Sequence, residues 1–319
     1  MRAIPLLTLL LSGWFAVPAH ADEAQDWLQR LGQAEQQQSF QGTFVYERNG
    51  SFSTHNIWHR VQDGKVRERL VQLDGSAQEV VRIDGRTQCV SGQLVAGLGD
   101  APDSAARTLD PQKLKNWYDL AVIGKSRVAG RQAVIVSLTP RDQHRYGFEL
   151  HLDLQTGLPL KSLLLNDKGQ LLERFQFTRL DTADVPQDSE LQPSAECRPV
   201  VINSDKASAV KAAQVWHSDW LPPGFELTSS TARKDPDTQS MVNSLMYDDG
   251  LARFSVFLEP LNGAVVTDTR TQLGPTVAVS RRLTTPEGEM MVTVVGEIPI
   301  GTAERIALSM RSDTANAKQ

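Results

Sequence analysis

Residues 147–154 read GFELHLDL, and their alternation decides the fold. Phe148, Leu150, Leu152 and Leu154 take the even positions, and Glu149, His151 and Asp153 take the odd ones. A period of two sends successive side chains to opposite faces of a strand, so one face is apolar and the other polar. RQAVIVSLTP before it, and LPLKSLLL and LLERFQFTRL after it, read as further strands, with turn signals at Thr156-Gly157 and from Asp167 to Gly169. Toward the N-terminus the punctuation is denser. Asn49-Gly50, Asp63-Gly64, Asp74-Gly75 and Asp84-Gly85 follow one another at spacings of 14, 11 and 10 residues, the rhythm of an antiparallel meander. In its first strand Phe40, Phe44 and Tyr46 point one way and Gln41, Thr43 and Glu47 the other, with Val45 an apolar exception. The pattern predicts nine or more strands in one large curved sheet, within a mostly antiparallel α+β protein that has few helices.

Three segments carry a helical period instead. Trp27, Leu28, Leu31 and Ala34 share one face of residues 23–38. A short helix is expected from Pro111 to Leu120, with Leu114, Trp117 and Tyr118 on its apolar side, and a last one from Thr302 to Met310, with Ile306, Ala307 and Met310 inward. Gly92 to Asp110 has no period and reads as a loop or flap. Val185 to Lys211 holds three prolines and small polar residues, the composition of a linker. The division that follows is a leader at 1–21, a large domain at 22–200, a linker at 201–213 and a small α+β domain at 214–319. That last domain has hairpins around Asp249-Gly250 and Pro286 to Gly288.

The leader is read from MRAIPLLTLLLSGWFAVPAHA: a charge at Arg2, an apolar run from Ile4 to Val17, then Ala19 and Ala21. This is the layout of a secretory signal cleaved after Ala21, and the run is shorter than the roughly 20 residues a membrane span needs. An extracytoplasmic address changes the reading of the only two cysteines, Cys89 and Cys197. Two thiols in an oxidising compartment are expected to pair, the alternative being two separate buried thiols. Closing that loop would restrict the unfolded chain by about 4 to 5 kcal/mol in the entropy model. Across 319 residues, 40% are hydrophobic and 22% charged, with a net charge of −5. The composition excludes a coiled coil, a disordered chain and a small disulfide scaffold, and 33 basic against 38 acidic residues argue against nucleic acid as partner.

The search for chemistry is mostly negative. His55 and His59 have the spacing of two ligands on a helix, but FSTHNIWHRV reads as strand, which separates them by about 13 Å. His144, His151 and His217 have no partner at a diagnostic spacing and read as surface or packing residues. Gly124-Lys125-Ser126 matches the end of a phosphate-binding loop whose first glycine would fall on Asp119, and a dinucleotide fingerprint beginning at Gly97 and Gly99 fails at Pro102. No nucleophile motif stands beside a base, so the chain reads as a protein without catalytic, metal or cofactor residues. Arg141, His144 and Arg145 in PRDQHRYGF read either as a site for a phosphate or carboxylate or as a solvated loop. Trp216, Trp220 and Phe225 read either as binding anchors or as the core of the second domain.

Particular strings carry more than periodicity does. SFQGTFVYERNGSFSTHNIWHRV (39–61), TPRDQHRYGFELHLDLQTGLPLKSLLLNDKGQLLERFQFT (139–178), WLPPGF (220–225) and YDDGLARFSVFLEPL (247–261) together resemble the MucB/RseB family, and the resemblance spans nearly all of the chain after the leader. It implies a periplasmic negative regulator of a sigma-E-type envelope-stress sigma factor. Such a regulator binds the periplasmic domain of a MucA/RseA-like anti-sigma factor and shields it from the site-1 protease. Release on a lipid or lipopolysaccharide-like signal, control of alginate production and a homodimer belong to the same implication. So does an N-terminal domain like the carriers LolA and LolB, an unclosed β-barrel with helices plugging a hydrophobic cavity. On this view Phe40, Phe44, Tyr46, Phe148, Leu150 and Leu152 are candidates to line the lipid cavity, or else plain core. Arg141 and Arg145 are candidates for an anionic group, and Trp216, Trp220, Phe225 and Arg253 for the partner. Two alternatives stand beside it: a lipid or lipoprotein carrier using the same cavity, and an envelope hydrolase with dispersed residues such as His144 or His151.

Overall fold

The computed structural model describes residues 19–92, 109–200, 215–235, 238–285 and 288–313. Most of the expected leader and flap, and the expected linker, lie outside the described residues. The larger part of the protein is one antiparallel sheet. Its strands are β1 (Phe40–Arg48), β2 (Ser51–Gln62), β3 (Lys65–Gln72), β4 (Glu79–Ile83), β5 (Arg86–Val90), β6 (Tyr118–Val128), β7 (Arg131–Pro140), β8 (Gly147–Asp153), β9 (Pro159–Leu165), β10 (Leu171–Asp181) and β11 (Arg198–Pro199). Their spatial order, β11-β5-β4-β3-β2-β1-β10-β9-β8-β7-β6, shows how the chain builds it. Hairpins run outward from β1 to one edge, and a second series runs inward from β6 to β10. The two series meet where β1 pairs with β10, for example Val45 with Gln176. The edges β6 and β11 do not pair with each other, so the sheet stays open.

The turns fold as their residues dictate. Asn49, Gly50, Asp63, Gly64, Asp84 and Gly85 all have φ between 50° and 76°, the left-handed pair that a two-residue hairpin requires and that Asn-Gly and Asp-Gly adopt with least strain. One expected element is shorter than its period suggested. The second helix, α2, covers only Pro111–Leu114, with Asp110 accepting hydrogen bonds from Gln112 N (2.9 Å) and Lys113 N (3.2 Å). From Tyr118 the backbone joins β7 as a strand, Tyr118 facing Pro140 and Leu120 facing Leu138. An unexpected strand thus replaces the end of the helix, because ladder pairing outweighs the weak helical period of residues 117–120.

The first helix, α1, spans Ala19–Gln37 and lies on the apolar face of the sheet. Ala24, Leu28 and Leu31 pack against Leu114, Tyr118, Leu120, Val134, Val136, Leu138 and Leu152. One turn further on, Ala34 joins a second cluster with Phe40, Phe44, Leu158, Leu160 and Phe177. Spacings of four, three and three residues put these four side chains on one stripe of the helix. A segment of linker composition is also fastened down. Residues 186–200 lie on the sheet: Arg60 binds Pro186 O and Asp188, Arg69 binds Glu190 O, and Ser194 N donates to Glu79. Beyond them Cys197 is disulfide-bonded to Cys89, and β11 pairs with β5.

The second domain is a six-stranded antiparallel sheet in the order β13-β14-β15-β18-β17-β16. These strands are Glu226–Lys234, Met241–Asp248, Arg253–Pro260, Gly288–Gly296, Thr276–Thr285 and Thr269–Leu273 in that order. Helix α3 (Ile300–Ser309) covers one face, where Ala303, Ile306 and Ala307 meet Val256, Leu258, Val277, Val279, Val292 and Val294 in one cluster. A short ladder, β12 (Val215–Ser218) with β19 (Met310–Asp313), closes the end of that core.

Candidate functional site

Two features of this fold offer themselves for function: the apolar face beneath α1, and the seam between the two domains. On the apolar face, Phe44 and Tyr46 of β1 lie opposite Phe177 and Phe175 of β10. Phe44 packs on Phe175 at 4.7 Å and on Phe177 at 5.9 Å between ring centroids. His55 stacks on Phe44 and His59 on Phe40, so these two histidines occupy separate places along β2. His59 also bonds Glu68 at 2.9 Å and the carbonyl of Glu35, which fastens the last turn of α1 to the sheet. Burial lowers the pKa of His55 and raises that of Glu35. Among the described residues no three His, Cys, Asp or Glu side chains stand together as a metal site.

The six residues expected to line a cavity do share this face, but not one chamber. Phe40 and Phe44 are buried in the second cluster, with Tyr46 packed on its margin and its hydroxyl donating to Glu173 at 2.6 Å. Leu152 is fully buried in the first cluster, with Phe148 and Leu150 half-buried against it. The opposite, polar side of GFELHLDL is not wet. His151 and Asp153 are buried, at 4% and 1% exposure, because each has partners there. Arg131 and Thr156 hold Asp153. His151 Nδ1 lies 2.6 Å from Ser126 Oγ and Nε2 lies 2.9 Å from Glu149 Oε1, an arrangement no sequence spacing announced. Burial lowers the pKa of His151 against the opposing pull of Glu149.

The seam is built largely by one loop, PRDQHRYG, and the expectation of an anionic-group site there needs correcting for Arg145. Its side chain is fully buried. It bonds Asp249 at 2.5 Å, the carbonyl of Pro223 at 2.6 Å and Asp142 at 2.9 Å, so no donor faces a ligand. Arg141 is exposed and paired with Asp119 at 2.8 Å. On either side of Arg145, His144 reaches Thr302 at 3.2 Å and stacks edge-on against Trp220, while Tyr146 donates to the carbonyl of Ile298 at 3.1 Å. Burial pushes the Tyr146 hydroxyl up to about 12. Lys113 to Glu226 at 2.8 Å, and Arg48 to Thr276, add contacts further along.

Of the four residues expected to meet a partner, Trp216 and Phe225 are core, at 4% and 5% exposure. Arg253 is paired with Asp248 at 3.0 Å. Trp220 is half-buried on the seam, with Arg305 over its ring at 3.8 Å. The seam itself could not be read from spacing, because its partners lie 78 to 228 residues apart in the chain. What connects these residues in the sequence is that all four family-like strings contribute to the seam, through Arg48, Arg145, Pro223 and Asp249.

Comparison with known proteins follows those strings. Residues 23–195 match the MucB/RseB N-terminal domain and residues 210–311 match the MucB/RseB C-terminal domain. The chain belongs to the MucB/RseB family. Within it, this chain is 63% identical over 320 residues to the sigma factor AlgU regulatory protein MucB of Pseudomonas aeruginosa, covering 100% of both chains. The fold is similar to that of MucB in the solved MucA/MucB complex of P. aeruginosa, with a TM-score of 0.82 at 63% identity over 92% of this chain and 100% of the other. Against a crystal structure of MucB the TM-score is 0.68 at 60% identity, over 92% and 98% of the two chains. No helix among the described residues is long and apolar enough to cross a membrane.

Proposed function

We propose that this chain is a periplasmic negative regulator of a sigma-E-type, AlgU-like envelope-stress sigma factor. It binds the periplasmic domain of a MucA/RseA-like anti-sigma factor, shields it from site-1 proteolysis and releases it on a lipid or lipopolysaccharide-type signal, with alginate production among the outputs. The observation that carries this reading is the full-length relationship to MucB, together with a fold similar to that of MucB bound to MucA. In this reading residues 22–200 sense lipid on the apolar face under α1, 201–213 link, and 214–319 help grip the partner. Lipid and partner act as opposed ligands, so each must weaken the other by the same factor. The test is calorimetry with the periplasmic segment of a MucA-type anti-sigma factor, with and without lipopolysaccharide, followed by digestion of the complex with the site-1 protease. Binding, protection and weakening by lipid are expected. Absence of binding would overturn the reading.

The triplet Ser126, His151 and Glu149 favours a second reading, because nucleophile, base and orienting carboxylate follow the order of a hydrolase triad. It ranks behind regulation on geometry. Ser126 sits within a regular ladder opposite Ala133, without the sharp turn that presents a nucleophilic hydroxyl. Fluorophosphonate labelling that disappears in Ser126→Ala would promote it; absence of labelling is expected.

A further inference from the structure

Arg145 has its three guanidinium nitrogens committed. Nη1 donates to Asp249, Nη2 to Pro223 O and Asp142, and Nε to Asp142 at 3.2 Å. Asp249 is equally committed. Its Oδ1 accepts from Leu251 N at 2.8 Å and Ala252 N at 2.7 Å, and its Oδ2 takes Arg145 and the Tyr118 hydroxyl at 3.2 Å. Both side chains are fully buried. The ring of Phe225 flanks the guanidinium at 5.0 Å, those of Tyr118 and Trp117 at 5.6 and 5.8 Å. Gly224, at φ 88°, lies so close to Trp117 that a Cβ would enter the indole. The loop that supplies Arg145 and Asp142 belongs to the larger domain, whereas Pro223, Phe225 and Asp249 belong to the smaller one.

A buried ionic network in which every guanidinium nitrogen and both Asp249 oxygens are bonded is demanding about position. Apolar surfaces tolerate sliding, but a displaced domain would leave a guanidinium and a carboxylate desolvated and unpaired. Placements intermediate between the closed joint and one fully open to water are therefore disfavoured. As a whole, this structure is more similar to MucB in the MucA/MucB complex, with a TM-score of 0.82, than to a crystal structure of MucB, with a TM-score of 0.68, at similar identity and the same coverage of this chain.

We propose that Arg145 is a positioning residue for the binding of the anti-sigma factor. Through Asp249 and Pro223 it holds the two domains in the mutual placement that grips the partner. The inference rests on the function proposed above. It assigns to the PRDQHRYG loop a role other than contact with an anionic signal.

The test uses the full mature chain and three forms: wild type, Arg145→Met with Asp249→Leu, and Arg145→Lys. The double variant removes the ion pair without leaving Asp249 charged and buried, and circular dichroism verifies that both domains remain folded. Small-angle scattering reads the mutual placement, and calorimetry with a MucA-type periplasmic segment reads affinity. The double variant is expected to scatter as a more extended particle and to bind at least about tenfold more weakly. Lysine keeps the charge but loses the planar fork, so Arg145→Lys is expected to fall between the two. Unchanged scattering in the folded double variant, or an extended particle that binds as tightly as wild type, would overturn the proposal. Wild type failing to bind would instead remove the proposed function, and the scattering comparison would still decide whether Arg145 sets the domain placement.

Discussion

The two sheets meet the same requirement, an apolar face to be covered by a helix, in different ways. In the small domain α3 closes a single cluster that runs from Trp216 through Val256 and Val292 to Met310. In the large domain α1 spans two clusters, gripping one through Leu28 and Leu31 and the other through Ala34. Eleven strands present more apolar face than one 19-residue helix can seal into a single core. Buried polar groups occur in both domains: His59, Glu79, Arg145, His151 and Asp153 in the large one, and Asp249 and Thr302 in the small one. A one-piece core resists rearrangement, whereas a divided core has an internal boundary at which a ligand can enter at lower cost. The contrast supports the proposal that the larger half is the one that responds to a signal.

Four measurements would break or sharpen that contrast. The largest effect is expected where the halves join. Asp249→Ala leaves Arg145 buried without its main partner and should destabilise the protein by about 3–5 kcal/mol, read by denaturant unfolding. Next, replacing Cys89 and Cys197 together by Ser removes the cross-link and should cost about 2–5 kcal/mol. That loss should be confined to hydrogen exchange in residues 40–200, leaving the small sheet protected. The same truncation in each core gives the most direct comparison. Leu258→Ala and Leu28→Ala both delete a fully buried side chain, within a range of about 2–5 kcal/mol. Leu258→Ala is expected near the top of that range and Leu28→Ala near the bottom, because a helix resting on a divided core can settle into the gap. Equal losses would mean that the two cores are alike.

The smallest effect is a dependence on pH. Burial lowers the pKa of His55, His144 and His151 below the usual 6.5, and all three belong to the large domain. A depressed histidine favours the folded state while neutral. Its contribution is therefore complete above pH 6.5 and is lost as pH falls through the lowered values, where the unfolded chain takes up protons first. Thermal melts between pH 7.5 and 5.5 should show the large domain losing stability toward acid. A large domain indifferent to this interval would remove the buried histidines from the contrast.

Much of this architecture was legible because local chemistry and the global fold agree. Three of the four Asx-Gly pairs, at 49, 63 and 84, sit in left-handed turns, whereas Asp74-Gly75 falls in a six-residue loop between β3 and β4, and GFELHLDL forms a strand with Leu152 against α1. The lone pair of cysteines left one intramolecular pairing to consider, and they are bonded. What escaped was decided by distant partners. Tyr118 continues into a strand because Pro140 and Leu138 await it, and residues 186–200 lie flat because Arg60, Arg69 and Glu79 hold them. In the nine-residue string PRDQHRYGF, Arg145 reads as a charge facing either an anionic group or solvent. Its true neighbour, Asp249, belongs to another domain, and no periodicity connects the two.

The pairing of β1 with β10 also has a consequence in time. Tyr46 and Glu173, joined by a hydrogen bond across the middle of the large sheet, are separated by 127 residues. The hairpins from β1 to β5 need only near neighbours, but the central seam of the sheet must wait until β10 has been delivered. A chain that emerges N-terminus first would therefore expose the Phe44 and Tyr46 edge through much of its delivery, and closing so long a loop is slow. The central pairing is thus the expected rate-limiting event of folding and the stage at which the nascent chain most needs protection from aggregation.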